Sequence, residues 1–111
     1  MADITYDDFD KIDMRVGVIR EVALNEKARK PAYKVRVDFG GAIGEKWSSA
    51  QITQYAADSL IGRHVVAVVN FPPKNIAGFI SQILILGVPD AEGNVILLEP
   101  ERDVPLGGRV F

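Results

Sequence analysis

The residues of this 111-residue chain that could do chemistry gather in one stretch, HVVAVVNFPPKNIAGFISQILILG, from His64 to Gly87. Two apolar strands there need no polar groups in order to pair, yet the stretch carries Asn70, Lys74, Ser81 and Gln82. That makes these four the first candidates for function. The same residues also suit a capped hairpin with one solvated lysine, and residue types alone leave both readings open. Catalysis is not expected. His64 is the single histidine and there are no cysteines. No HExxH, GxSxG or phosphate-cradling glycine loop is present. Neither a metal nor another cofactor is expected. Asp7, Asp8 and Asp10 lie close in sequence, but they read as acids favouring a helix start.

A second cluster lies upstream. Lys27, Arg29, Lys30, Lys34 and Arg36 fall within ten residues, with Tyr33 among them. Such a patch can meet phosphates, and Tyr33 offers a face for stacking. A solvated hairpin loop followed by a half-exposed strand would look the same. Net charge is −2, which by itself argues against nucleic acid. The distribution is uneven, however. Residues 1–13 hold five acids and one base, and residues 90–111 five acids and two bases. The middle keeps ten bases against five acids, enough for a local positive surface.

The elements that must position these groups are mostly strands. Thr5 can cap a short helical turn ending near Asp10, with Asp7 and Asp8 in its first turn. Residues 12–24 alternate as far as Val18, with Ile12, Met14, Val16 and Val18 on one face; a bulge or sharp bend is expected at Gly17, and past Val18 the phase changes. Residues 25–31 form a loop. In residues 32–39, Tyr33, Val35, Val37 and Phe39 point one way and Lys34, Arg36 and Asp38 the other. A strand over 45–50 follows, with Trp47 as an inward anchor, and Ser49 either caps the next helix or serves a ligand. The spacing of Ile52, Tyr55, Ala56 and Leu60 predicts a helix over 51–60, ended by Gly62. Strands over 64–71 and 80–87 flank a loop opened by Pro72 and Pro73, and 95–98 is a further short strand. The order β-β-β-α-β-β is that of the OB-fold. We therefore expect an all-β chain: a five-stranded OB barrel, one short helix between strands 3 and 4, and extended terminal segments.

Composition sets the outer bounds. One domain over residues 1–111 is the expectation at this length. No apolar run approaches the roughly 20 residues of a spanning helix, so no membrane insertion is expected. The acidic start lacks the pattern of a secretion signal, and a cytoplasmic location is the simplest reading. Val104, Leu106, Val110 and Phe111 are apolar for a tail. They suggest a contact in a homodimer or packing on the chain's own barrel.

Three segments together resemble the tRNA-binding domain family: NFPPKNIAGFISQ at 70–82, SSAQI at 48–52 and VPLGGRVF at 104–111. The resemblance covers essentially the whole chain. It implies an OB barrel, a homodimer built with terminal segments and a tRNA-binding face. Asn70, Lys74 and Ser81 match the family's Asn, Lys and Ser. Many members read Lys-Met-Arg-Gly and then Ser-Glu-Gly-Met. Here Ala77 precedes Gly78, and Gln82, Ile83 and Leu84 follow Ser81, so one phosphate-binding charge is missing. The chain looks more like the family's stand-alone secretion-chaperone branch than its synthetase-appended form. That branch implies binding of unfolded preproteins and of the export ATPase SecA.

Two non-catalytic readings follow. As a tRNA-binding module, the chain would meet phosphates with Lys27, Arg29, Lys30, Lys34 and Lys74. Ser49, Gln51, Asn70, Ser81 and Gln82 would supply hydrogen bonds. As a chaperone, it would take extended apolar segments in a cleft near the dimer seam lined by Phe71, Ile76, Phe79 and Phe111. Phe71 and Phe79 are residues of a type more often found in the core.

Overall fold

A computed structural model describes residues 1–111. The elements in chain order are α1 (Tyr6–Asp10), β1 (Met14–Leu24), β2 (Tyr33–Asp38), β3 (Glu45–Ala50), α2 (Ala57–Leu60), β4 (His64–Val68), β5 (Lys74–Ile76), β6 (Phe79–Ser81), β7 (Leu84–Ile85), β8 (Gly87–Pro89) and β9 (Val95–Leu97). Five strands form one antiparallel sheet in the order β3-β2-β1-β4-β7. The sheet curls until Gln82, just before β7, meets β3: the Gln82 N–H donates to the Trp47 carbonyl at 2.8 Å. The result is a nearly closed five-stranded barrel, the OB-fold.

The core follows from alternation. Val35, Val37 and Phe39 are buried in one cluster with Ile19, Val65 and Ala67, and Tyr33 packs against it. Burying each branched aliphatic side chain contributes about 1.5–3 kcal/mol. On β1 the inward face differs from the expected one. Val16 and Val18 are buried but lie outside that cluster, while Gly17 and Ile19 point into it. A Cβ on Gly17 would stand 2.5 Å from Val37 Cγ1 and 2.8 Å from the Phe39 ring, so glycine is required by crowding. The bulge or bend expected near Gly17 falls slightly later, as a register shift between Ile19 and Glu21, which brings Val22 onto the core.

The tail explains the other face of β1. The Gly107 N–H donates to Val16 O at 2.8 Å, Val16 N–H to Gly108 O at 3.0 Å, and Val110 N–H to Met14 O at 2.9 Å. The tail thus lies along its own barrel up to Val110, while Phe111 stands fully exposed. At the other end Thr5 and Asp8 form a reciprocal capping box on α1. The bonds from the Thr5 backbone and hydroxyl hold the Asp8 carboxyl below its ordinary pKa.

Four expectations are corrected. The 51–60 helix shrinks to α2, capped without a side chain at Ala56, because Ile52 and Tyr55 are drawn into the barrel core by turns. Ser49 is therefore a strand residue and no helix cap. Trp47 is not an inward anchor: β3 turns Ser48 inward (1% exposed), and Trp47 lies outside, edge-on to Phe79 at 5.7 Å. The two strands expected over 64–71 and 80–87 do not run their full length. Residues 74–81 instead form their own hairpin, in which Lys74 pairs with Ser81 and Ile76 with Phe79. Its turn is Ala77-Gly78, both at positive φ (52° and 82°), the two-residue turn that matches strand twist. The Asn75 side chain braces it by accepting from the Gly78 N–H at 2.9 Å.

Candidate functional site

The hairpin β5–β6 lies against the outer side of β3 and ends beside the loop between β1 and β2. Two grooves open between them. The first, about 420 Å³, is lined by Ser49, Phe71, Pro72, Lys74, Ile76, Ser81, Gln82, Ile83 and Leu84. The second, about 590 Å³, is walled by the loop residues Lys27, Ala28, Arg29 and Lys30, with Ala32, Ser49, Gln51, Ile76 and Ala77. Ser49 and Ile76 line both, so the grooves form one continuous face. No acidic residue lines either. A smaller hollow beside the hairpin tip adds Lys34 and Phe79, with Glu26 as its one acid.

Electrostatics divides the molecule sharply. Of thirteen lysines and arginines, Lys11, Arg15, Arg20, Arg36, Arg63, Arg102 and Arg109 are ion-paired with carboxylates. The six without an acidic partner are Lys27, Arg29, Lys30, Lys34, Lys46 and Lys74. Five of these six line the grooves or the adjoining hollow. Arg36, part of the basic run in sequence, is excluded by register. It sits between Glu21 and Glu45 and bonds both. Burial lowers its pKa, but the two carboxylates outweigh that and hold it above its ordinary value.

The predicted hydrogen-bonding residues separate into two groups. Ser49 and Gln51 line the grooves with side chains free of protein bonds. Ser81 and Gln82 line the first groove but also close the barrel. Ser81 Oγ accepts from Ser49 N–H at 3.1 Å, and Gln82 Oε1 accepts from Trp47 N–H at 2.9 Å. Gln82 Nε2 keeps its donors free. Asn70 lies apart from these: its Oδ1 accepts from Asp13 N–H at 3.0 Å and its Nδ2 donates to Lys11 O at 2.7 Å. Both polar ends of Asn70 thus bond the α1–β1 connection, and the residue lines neither groove. Tyr33 is half-buried, with its ring packed against the core and its hydroxyl donating to Tyr55 O at 2.8 Å.

The four predicted apolar contacts also split. Phe71 and Ile76 line the first groove, Phe71 with 53% of its surface exposed. Phe79 lines the hollow, edge-on to Trp47, with Lys34 Nζ 5.3 Å above its ring. Phe111 lies at the end of the tail, apart from the grooves. Pro72 and Leu84 were missed as groove residues. Leu84 reads in sequence as the middle of a buried strand, and only the break between β6 and β7 exposes it.

Residues 14–109 match the model of a family described as a putative tRNA binding domain. The chain belongs to this tRNA-binding domain family. Methionine–tRNA ligase of Pyrococcus furiosus is 38% identical over 110 residues, 99% of this chain. That of Porphyromonas gingivalis is 34% identical over 108 residues, 97% of this chain. The chain spans only about 15% of the length of such ligases. Among solved structures, the CsaA chaperone protein from Picrophilus torridus superposes with a TM-score of 0.92 at 53% identity, covering 98% of this chain and all of that one. The chaperone CsaA from Bacillus anthracis gives 0.90 at 46% identity, with 99% and 100% covered. The tRNA-binding domain family resemblance, on its CsaA side, thus holds.

No group of three or more His, Asp or Glu side chains is placed to hold a metal. No helix is long and apolar enough to cross a membrane.

Proposed function

We propose that residues 1–111 form one non-catalytic module that binds tRNA through the grooved face, works in the cytoplasm and acts as a homodimer. The observation that supports this most is the partition of charge: the cations at the grooves lack acidic partners while those elsewhere, Lys46 apart, are paired. Lys27, Arg29, Lys30, Lys34 and Lys74 meet phosphates, and Ser49, Gln51 and the free amide nitrogen of Gln82 supply hydrogen bonds. A dimer would set two such faces at a fixed spacing and read the shape of a folded RNA. Arg15, Arg109 and Asp13 tie the tail to β1 and leave Phe111 projecting, which favours a dimer contact through the terminal segments.

Salt dependence tests this reading. With about four to six phosphates neutralised, log affinity for tRNA falls against log salt with a slope of roughly −3 to −5. Lys74→Ala reduces that slope by about one. A slope near zero would refute the reading.

A second reading rests on the half-exposed Phe71 and Leu84 in the first groove. Extended apolar segments of unfolded preproteins fit there, in the manner of an export-related chaperone, with SecA as a further partner. Client capture that persists in high salt and slows aggregation supports it. Failure with every unfolded client counts against it.

A further inference from the structure

We infer that the first groove receives an unpaired nucleobase, so that RNA is held on this face by insertion of a splayed base as well as by its phosphates. The inference rests on the RNA reading above and specifies what enters the groove. Phe71, Pro72, Ile76 and Leu84 make its walls apolar, and its volume of about 420 Å³ lies within the range of small-molecule sites. Beside those walls stand two polar groups without protein partners, the Ser49 hydroxyl and Gln82 Nε2. Both can donate to the carbonyl or ring-nitrogen acceptors on a base edge.

The neighbouring groove completes the match. It continues from the first through Ser49 and Ile76 and presents Lys27, Arg29 and Lys30, with no acid lining it. Lys74 stands in the first groove itself. The preferred occupant therefore has a flat apolar part with a hydrogen-bonding edge, joined directly to a run of anions. A nucleotide followed by its phosphates has that chemistry. A duplex does not, because its bases are stacked inside and unpairing costs energy. An apolar peptide would fill the first groove and leave the three cations of the second unused.

Four probes separate the possibilities: a ten-nucleotide unpaired RNA, the same strand with abasic residues throughout, a duplex of equal length, and an extended apolar peptide. The unpaired strand is expected to bind about tenfold more tightly than the abasic one, in line with one base stacked on an aromatic ring. Phe71→Ala removes that advantage and leaves the abasic strand and the duplex unchanged. Phe71→Leu, which keeps an apolar wall, retains part of it. Phe71 is half exposed, so both variants are expected to stay folded, and their melting temperatures check this. Arg29→Ala weakens all three nucleic acids together. Equal binding of abasic and normal strands, or indifference to Phe71→Ala in a folded protein, overturns the inference while the RNA reading stands. No binding of any nucleic acid at low salt overturns the RNA reading itself. Peptide binding lost with Phe71→Ala, without base-dependent RNA binding, assigns the groove to protein clients and also overturns the inference.

Discussion

The grooved face and the face carrying the terminal segments use the same residue types to opposite ends. On the terminal side, Arg15 donates to both Asp13 oxygens and to Gly107 O, and Arg109 reaches Asp13 and the Asp10 carbonyl. Each guanidinium there is engaged in joining α1, β1 and the tail. At the grooves, Lys27, Arg29, Lys30 and Lys74 have no partner at all. A paired cation has already traded hydration for a carboxylate and gains little from a second anion. An unpaired, solvated cation still has that gain to make, and a row of them repels itself until an anion arrives. Charge count alone misleads: a net charge of −2 coexists with a face on which every acid is absent or peripheral.

Substitutions can break this comparison. The largest effect is expected from replacing Lys27, Arg29 and Lys30 together with alanine. Affinity for tRNA falls about a hundredfold or more at low salt and the salt slope shrinks by roughly three, while melting is unchanged. A clear loss of stability would show that the loop cations serve the fold after all. Arg15→Ala is the counterpart. It removes a half-buried ion pair and a bond to the tail, and is expected to cost about 1–2 kcal/mol in denaturant unfolding with RNA binding intact.

Ser81→Ala sharpens the boundary between the two roles, because Ser81 lies in the groove yet stitches β6 to β3. Leaving the Ser49 N–H without its acceptor costs about 1–2 kcal/mol, with only a small change in RNA affinity. An RNA defect without a stability loss would move Ser81 to the ligand side. The smallest effect concerns Asp8. Its folded pKa lies below the ordinary carboxylate value, so its contribution is present above the unfolded pKa and is lost as pH falls through the depressed folded one. The α1 turn is expected to fray first in acid, read by amide exchange at Asp8 and Phe9, and Asp8→Asn removes that pH dependence.

Legibility in sequence varied with the range of the interaction. The alternation of Tyr33, Val35, Val37 and Phe39 identified β2 and the core because period two is carried by the strand itself. The Thr5 cap was readable for the same reason, with donor and acceptor three residues apart. The helix over 51–60 misled, because apolar spacing cannot tell a helix face from turns whose side chains drop into a barrel. Asn70 is a different case. An amide after a strand looks available until Asp13 and Lys11, more than fifty residues earlier, arrive beside it. Leu84 was hidden by continuity with Ile83 and Ile85, and only the hairpin at 74–81 breaks that run.

By itself, the sequence determined the class of fold, the family, the capped N-terminal turn and the presence of a basic loop next to a proline-stiffened segment. Each is written in local periods or contiguous motifs. The tertiary structure alone decided which cations stay free, since pairing depends on strand register: Arg36 is neutralised because β1 and β3 bring Glu21 and Glu45 to its two sides. It alone also decided that Lys74, Phe71, Ser49 and the distant Lys27–Lys30 loop share one surface. Curling of the sheet, not distance along the chain, sets which side chains meet, and closing the barrel through Ser81 and Gln82 is what forms the groove.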